Sequence, residues 1–244
     1  MGKGQAGYSA LRRARQLRRK HASSALKWAG YATAGGGVAS SVALGSLSVG
    51  SLAAGGAAGV ATAVWRYKRP SDAKRWFQGA AAERRTGEHL APLERLGWVV
   101  LHDLSIPKSK ANLDHVLVHP SGKFAVYVDT KAWHAARARI TWDNRGRLMY
   151  GPWDQTPKMK TVEWEASRLH EETGLPVIPL IACDRGNVIG PTGSPGVINV
   201  NGTYILRSDA LFNEISRMDP LNGPDRRTAD RVRKTIERKF PVAQ

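Results

Sequence analysis

Thirty-six consecutive residues, Ala29 to Val64, contain no charged side chain and stand between Trp28 and Trp65. No other feature constrains this 244-residue chain as strongly, because it separates a short N-terminal part from the rest and demands its own structural explanation. The stretch is built from 11 Ala, 9 Gly, 5 Ser, 5 Val, 3 Leu, 2 Thr and Tyr31. A bilayer takes about 20 apolar residues per helix, so this length suits two short spans and a turn better than one span. Spacings such as Ser41 to Gly45, Ser46 to Gly50 and Gly55 to Gly59 let two helices approach closely. Border tryptophans suit the membrane interface, and basic clusters outside both borders place both ends in the cytoplasm. The expectation is a membrane hairpin over 28–66 after a basic segment, 1–27. A Gly/Ala/Ser linker and an export signal share parts of this composition and are the competing readings.

Charge follows the same division. Of 37 Lys and Arg against 20 Asp and Glu, residues 1–75 hold 13 bases and one acid, Asp72. The remaining residues carry 24 bases and 19 acids, a modest excess. The basic flank therefore suits a polyanionic partner, either nucleic acid or an anionic membrane surface. One cysteine, Cys183, excludes an intramolecular disulfide and a cysteine-based zinc cluster.

Beyond Pro70 the pattern is globular. Ser71 is a plausible N-cap for a helix containing Trp76, Phe77, Ala80, Leu90, Leu93 and Leu96, with Pro92 a kink or a new start. Short Val-rich runs at Trp98–Leu101, Leu113–Val118 and Phe124–Val128 predict three strands. A hairpin follows at Ala138–Trp142 and Arg147–Tyr150, then a helix over Met159–Thr173 closed by Gly174. Strands at Val177–Cys183, Val197–Val200 and Thr203–Leu206 precede helices at Ser208–Arg217 and Asp225–Lys239. The interleaving predicts a mixed α/β domain over 71–219, with 220–244 as a C-terminal helix. No phosphate-binding glycine loop is present. His170-Glu171-Glu172-Thr173-Gly174 lacks the second histidine of a zincin, and Ser194 lacks the setting of a nucleophile elbow.

The chemistry concentrates in Asn112 to Lys131, which reads as two strands joined by Pro120-Ser121-Gly122-Lys123. Alternation puts Asp129 and Lys131 on one face with Tyr127 and opposite Val126 and Val128. Antiparallel pairing brings Asp114, at the start of one strand, beside Asp129 near the end of the next. Two carboxylates suit Mg²⁺ or Mn²⁺, and such an ion lowers the pKa of bound water and neutralises charge growing on a phosphodiester. Lys131 orients that water or acts as a fixed positive charge. Alternation turns His115 and His119 away from Asp114, so they and His134 are assigned structural or surface roles. Trp133 packs in the core or stacks a base, and Cys183 is expected as a buried thiol. The competing explanation of Asp129 and Lys131 is a solvated ion pair.

Five elements in order resemble the nuclease-related domain (NERD) family of the restriction-endonuclease-like PD-(D/E)XK group. They are Trp76 to Thr86, Gly97-Trp98-Val99-Val100-Leu101-His102-Asp103, Leu113-Asp114-His115, the Pro120 to Phe124 turn, and Asp129-Thr130-Lys131. The resemblance extends from about Trp76 to the Val197 region and implies a mixed sheet flanked by helices. It also implies that Asp114 is the first motif acid, that Asp129 and Lys131 form the acid-x-lysine pair, and that Glu83 is the first helix's acid. Glu88 competes with Glu83. Departures are Ala82 where glycine is frequent, Leu113 for proline, and Asp129 for glutamate. The implied function is a membrane-tethered, Mg²⁺-dependent nuclease acting on DNA in the cytoplasm. The alternative is a non-catalytic nucleic-acid-binding or membrane-associated module.

Overall fold

A computed structural model describes residues 5–44, 49–68, 72–133, 135, 138–218 and 223–243. The expected N-cap Ser71 and the histidine His134 lie outside them. The described chain divides into two compact units, residues 10–77 and residues 1–9 with 78–244.

The smaller unit contains most of α1 (Tyr8–Leu44) and α2 (Val49–Lys68). Gly59 brings α2 against α1: a Cβ there would come within 1.9 Å of Thr33 Oγ1 and 3.1 Å of the Ala29 carbonyl. Gly45 and Ser46, which belong to the other two spacings, lie outside the described residues. The membrane-spanning expectation is corrected. Among the described residues, no helix is long and apolar enough to cross a membrane. The reason is compositional: Ala and Gly make up more than half of the uncharged stretch and contribute little transfer free energy per residue. Residues 45–48, between α1 and α2, lie outside the described part.

The larger unit is mixed α/β. After α3 (Asp72–Leu90) and a 3₁₀ segment (Ala91–Leu96), the chain forms β1 (Val99–Ser105), β2 (Asn112–Val118) and β3 (Ala125–Lys131). A small-sheet excursion follows, with β4 (Arg139–Trp142), β5 (Leu148–Tyr150) and β6 (Trp153–Asp154). Then come α4 (Thr156–Thr173), β7 (Val177–Cys183), β8 (Asn187–Val188), β9 (Ile198–Val200), β10 (Thr203–Arg207), α5 (Leu211–Ser216) and α6 (Arg226–Lys239). The main sheet has the order β1-β2-β3-β7-β10-β9; β3, β7 and β10 run parallel, and the outer pairs are antiparallel. Strand β8 pairs with β4 in the second sheet, β6-β5-β4-β8.

Local sequence explains most boundaries. Helix α3 gives way to a 3₁₀ segment at Pro92, as a proline without an N–H requires. Helix α4 begins where Asp154 Oδ1 accepts the Thr156 N–H at 2.8 Å and ends at Gly174, left-handed with φ +72°. Asp225 caps α6 by accepting from the Arg227 and Thr228 N–H groups, each at 3.1 Å. Between β2 and β3, Gly122 has φ +70°, and a Cβ would approach the Thr228 and Ala229 backbone within 2.9 Å, so this turn excludes side chains twice over.

Alternation along β3 builds two cores. Ala125 and Tyr127 join Val116, Ile181 and the α4 residues Met159, Val162, Ala166 and Leu169, whereas Val126 and Val128 join Leu117, Leu90, Leu180 and Leu211. The start of α1 belongs to this unit: the backbone N–H and hydroxyl of Ser9 both donate to the buried Asp103 carboxylate at 2.7 Å. The Thr86 hydroxyl on α3 is buried without a hydrogen-bond partner. Replacing it with the isosteric methyl, Thr86→Val, is expected to raise stability by about 1 kcal/mol, read as a higher urea midpoint at unchanged slope.

Candidate functional site

Strand alternation and the β2–β3 register assemble the site at the C-terminal end of the parallel pair β3 and β7. His115 faces Val128 across the ladder, so Asp114 lies one step further along, beside the end of β3. There its Oδ2 accepts the Thr130 N–H at 2.9 Å. Asp129, 6% exposed, points to the same side as Lys131. The Lys131 Nζ donates to Asp129 Oδ1 at 2.8 Å and lies 2.7 Å from Oδ2, off that oxygen's hydrogen-bond direction. Asp129 Oδ2 is therefore buried with an ionic neighbour and no hydrogen bond. Lys131 keeps 22% of its side chain exposed.

Glu83 of α3 faces this group, and Glu88 does not. The Glu83 charge is among the causes that raise Asp114, whereas Glu88 is 67% exposed and sits 3.9 Å from Arg84. One turn of helix separates inward from outward here. Arg85, between them in sequence, makes two hydrogen bonds to the Asp184 carboxylate, at 2.9 and 2.6 Å. Asp184 follows β7, and its N–H donates to the Lys131 carbonyl at 2.9 Å. The pair thereby ties α3 to the strand ends that hold the acids.

Glu165 is a fourth carboxylate that the sequence reading missed. It is 6% exposed on α4 and accepts from the Tyr127 hydroxyl at 2.8 Å. Its signal was present: position 165 is three after Val162 and four before Leu169, on the apolar stripe of the helix, where an acid needs a reason. His102 and His115 form a second polar link, Nδ1 to Nδ1 at 2.8 Å, and His115 Nε2 lies 3.3 Å from Thr130 Oγ1. Burial, then the neighbouring His102, pushes His115 below its ordinary range, which suits a neutral imidazole on the face away from Asp114. His119 bonds Ser121 Oγ at 2.7 Å within the turn. Trp133 is half-buried against the core, and Cys183 is a buried free thiol.

Four carboxylates share one lysine, and the ionisation equilibria show the strain. Burial, then Asp103 and Asp129, pushes Glu83 from 4.5 up to about 8. Burial, then Glu83 and Asp129, raises Asp114; burial also raises Asp129 although Lys131 opposes it. Burial and the Asp129 charge lift Glu165 from 4.5 to about 7. Burial alone would lower Lys131, but Asp129 and Asp114 outweigh it and raise the ammonium. A carboxylate whose folded pKa is raised binds more protons folded than unfolded. The stability contributed by Glu83 is thus fully present below pH 4.5 and is lost as pH rises through about 8. Urea midpoints of the metal-free chain between pH 5 and 9 should fall with pH, and Glu83→Gln should flatten part of that decline.

The same crowding is what a divalent cation relieves. Among the described residues, no group of three or more His, Cys, Asp or Glu side chains is arranged to hold a metal ion. Mg²⁺, however, commonly uses one or two carboxylates and keeps several waters. Asp114 and Asp129 offer the hard oxygen donors of that demand, although both Asp129 oxygens are in contact with the Lys131 ammonium.

Residues 78–182 match the family model of NERD, the nuclease-related domain. The NERD match runs from α3 to the penultimate residue of β7 and so contains Glu83, Asp114, Asp129, Lys131 and Glu165. It leaves out the smaller unit's α1 and α2, the Asp184 partner of Arg85, and the β9–β10 edge of the sheet. The comparisons with curated proteins and with solved structures gave no match.

Proposed function

We propose that the NERD-like segment is a nuclease that hydrolyses phosphodiester bonds of DNA with Mg²⁺ or Mn²⁺, on a restriction-endonuclease-like fold. The observation that supports it most is the convergence of Asp114, Asp129 and Lys131 at one strand end, with Glu83 facing them. Asp114 and Asp129 would hold the ion. When bound, it supplies a more acidic water and a counter-charge to the scissile phosphate. Lys131, its ammonium held by Asp129, contributes a fixed positive charge for the extra negative charge of the transition state. The Thr130 N–H keeps one Asp114 oxygen oriented, and Arg85 with Asp184 keeps the Glu83 helix in place. The basic flank, 13 bases against one acid, offers further contacts to the polyanion.

The test uses the full chain with plasmid and single-stranded DNA, Mg²⁺ or Mn²⁺ against chelator. Cleavage that depends on the ion supports the reading, and none with any divalent ion overturns it. The second reading is a nucleic-acid-binding module without turnover. The ion pair of Lys131 with both Asp129 oxygens, which engages a carboxylate the metal would need, favours it. Such a module would keep salt-sensitive DNA affinity in chelator and cut nothing.

A further inference from the structure

We propose that Trp133, Tyr150 and Trp153 form a platform on which unpaired bases of single-stranded DNA stack beside the carboxylate and lysine cluster. This deepens the nuclease reading and rests on it for the meaning of the neighbouring site.

The row begins at the site itself. Trp133 follows Lys131 by two residues, and its N–H donates to the Lys131 carbonyl at 2.8 Å. Its ring stacks on Tyr150, with centroids 5.6 Å apart and planes 17° apart. Tyr150 meets Trp153 at 5.9 Å and 42°. The row is built rather than incidental: the Tyr150 hydroxyl accepts the Ala135 N–H at 2.8 Å, and Gly151, at φ +56°, turns the chain so that Trp153 returns to Tyr150. The inner ring is half-buried against the core, whereas Trp153 is 58% exposed at the outer end. Rings already in contact leave no slot between them, so a base adds to the open end of the stack.

Charge identifies the occupant. Residues 131–160 contain seven bases and two acids, whereas the rest of 76–244 holds seventeen of each. The whole cationic excess of the globular part therefore lies on the segment that carries the rings. Asp143, one of the two acids, is engaged with Arg147 at 2.8 Å, and Arg139 and Arg145 are exposed. Stacked rings on a segment of net positive charge suit a backbone of phosphates with bases free to stack. A duplex keeps its base faces inside, and an apolar protein partner would have no use for the cations.

The experiment titrates full-length chain, in chelator, with labelled oligothymidine and with a duplex of equal length. The expected result is that Trp153→Ala weakens single-strand binding about ten- to a hundred-fold and leaves duplex binding within two-fold. Trp153→Leu, which keeps an apolar side chain without a ring face, should behave like alanine, and Trp153→Phe should retain most of the affinity. Equal losses on both DNA forms, no loss on either, or a leucine variant that binds like wild type would overturn the platform. Cleavage is scored separately. A platform effect without ion-dependent cutting leaves stacking standing and removes the nuclease reading; cutting without a Trp153 effect does the reverse.

Discussion

Lys131→Ala is expected to lower Mg²⁺-dependent DNA cleavage by about 100- to 1000-fold, the loss that follows removal of one preorganised electrostatic stabiliser. The ammonium has two tasks at this strand end: it neutralises the buried Asp129 and, in the proposed chemistry, it supplies a fixed positive charge. Its removal takes away the nearer of the two lysines that act on Asp129 and leaves Lys158, so proton uptake by the cluster should also shift. Lys131→Arg separates the two tasks, because it keeps the charge but not the compact donor geometry. Activity per folded molecule, with circular dichroism confirming the fold, is the deciding measurement. A Lys131→Ala chain that cuts as well as wild type would refute the assignment of this lysine.

Arg85→Ala should produce the largest loss of stability, about 3 kcal/mol, because it leaves the Asp184 carboxylate, 2% exposed, without its cation. Removal of both partners, in Arg85→Ala with Asp184→Ala, should cost less than the single change, since the penalty lies in the uncompensated charge. Urea denaturation read from tryptophan fluorescence measures both. Because Asp184 also donates its N–H to the Lys131 carbonyl, the single variant should lose cleavage beyond what its unfolded fraction explains. If the double variant is as unstable as the single one, packing rather than charge holds α3 in place.

The legible part of this molecule was local. Apart from the two-residue β6, the order of helices and strands from Leu113 to Gly174 followed from period, turn residues and the glycine at the end of α4. Alternation alone placed Asp129, Lys131 and Tyr127 on one face and turned His115 to the other. Strand ends were less legible: β1 reaches Ser105 rather than Leu101, because its last residues are completed by the C-terminal segment, with the Ser105 N–H donating to the Pro241 carbonyl at 2.8 Å. The membrane hairpin failed on magnitude, since absence of charge is not the same as sufficient apolarity.

What the sequence by itself determined was which residues share a strand face and where the chain turns, because both depend on neighbours one to four positions away. Tertiary structure alone decided which separate elements meet. Glu165 joins the acids only because α4 packs on the Tyr127 face, Arg85 finds Asp184 ninety-nine residues away, and Glu83 rather than Glu88 turns inward only once α3 is docked. Segment 5–9 likewise meets Asp103 across the chain. Burial then set the chemistry: acids that are ordinary on a strand or a helix become strained when packing removes water and leaves four of them around one lysine.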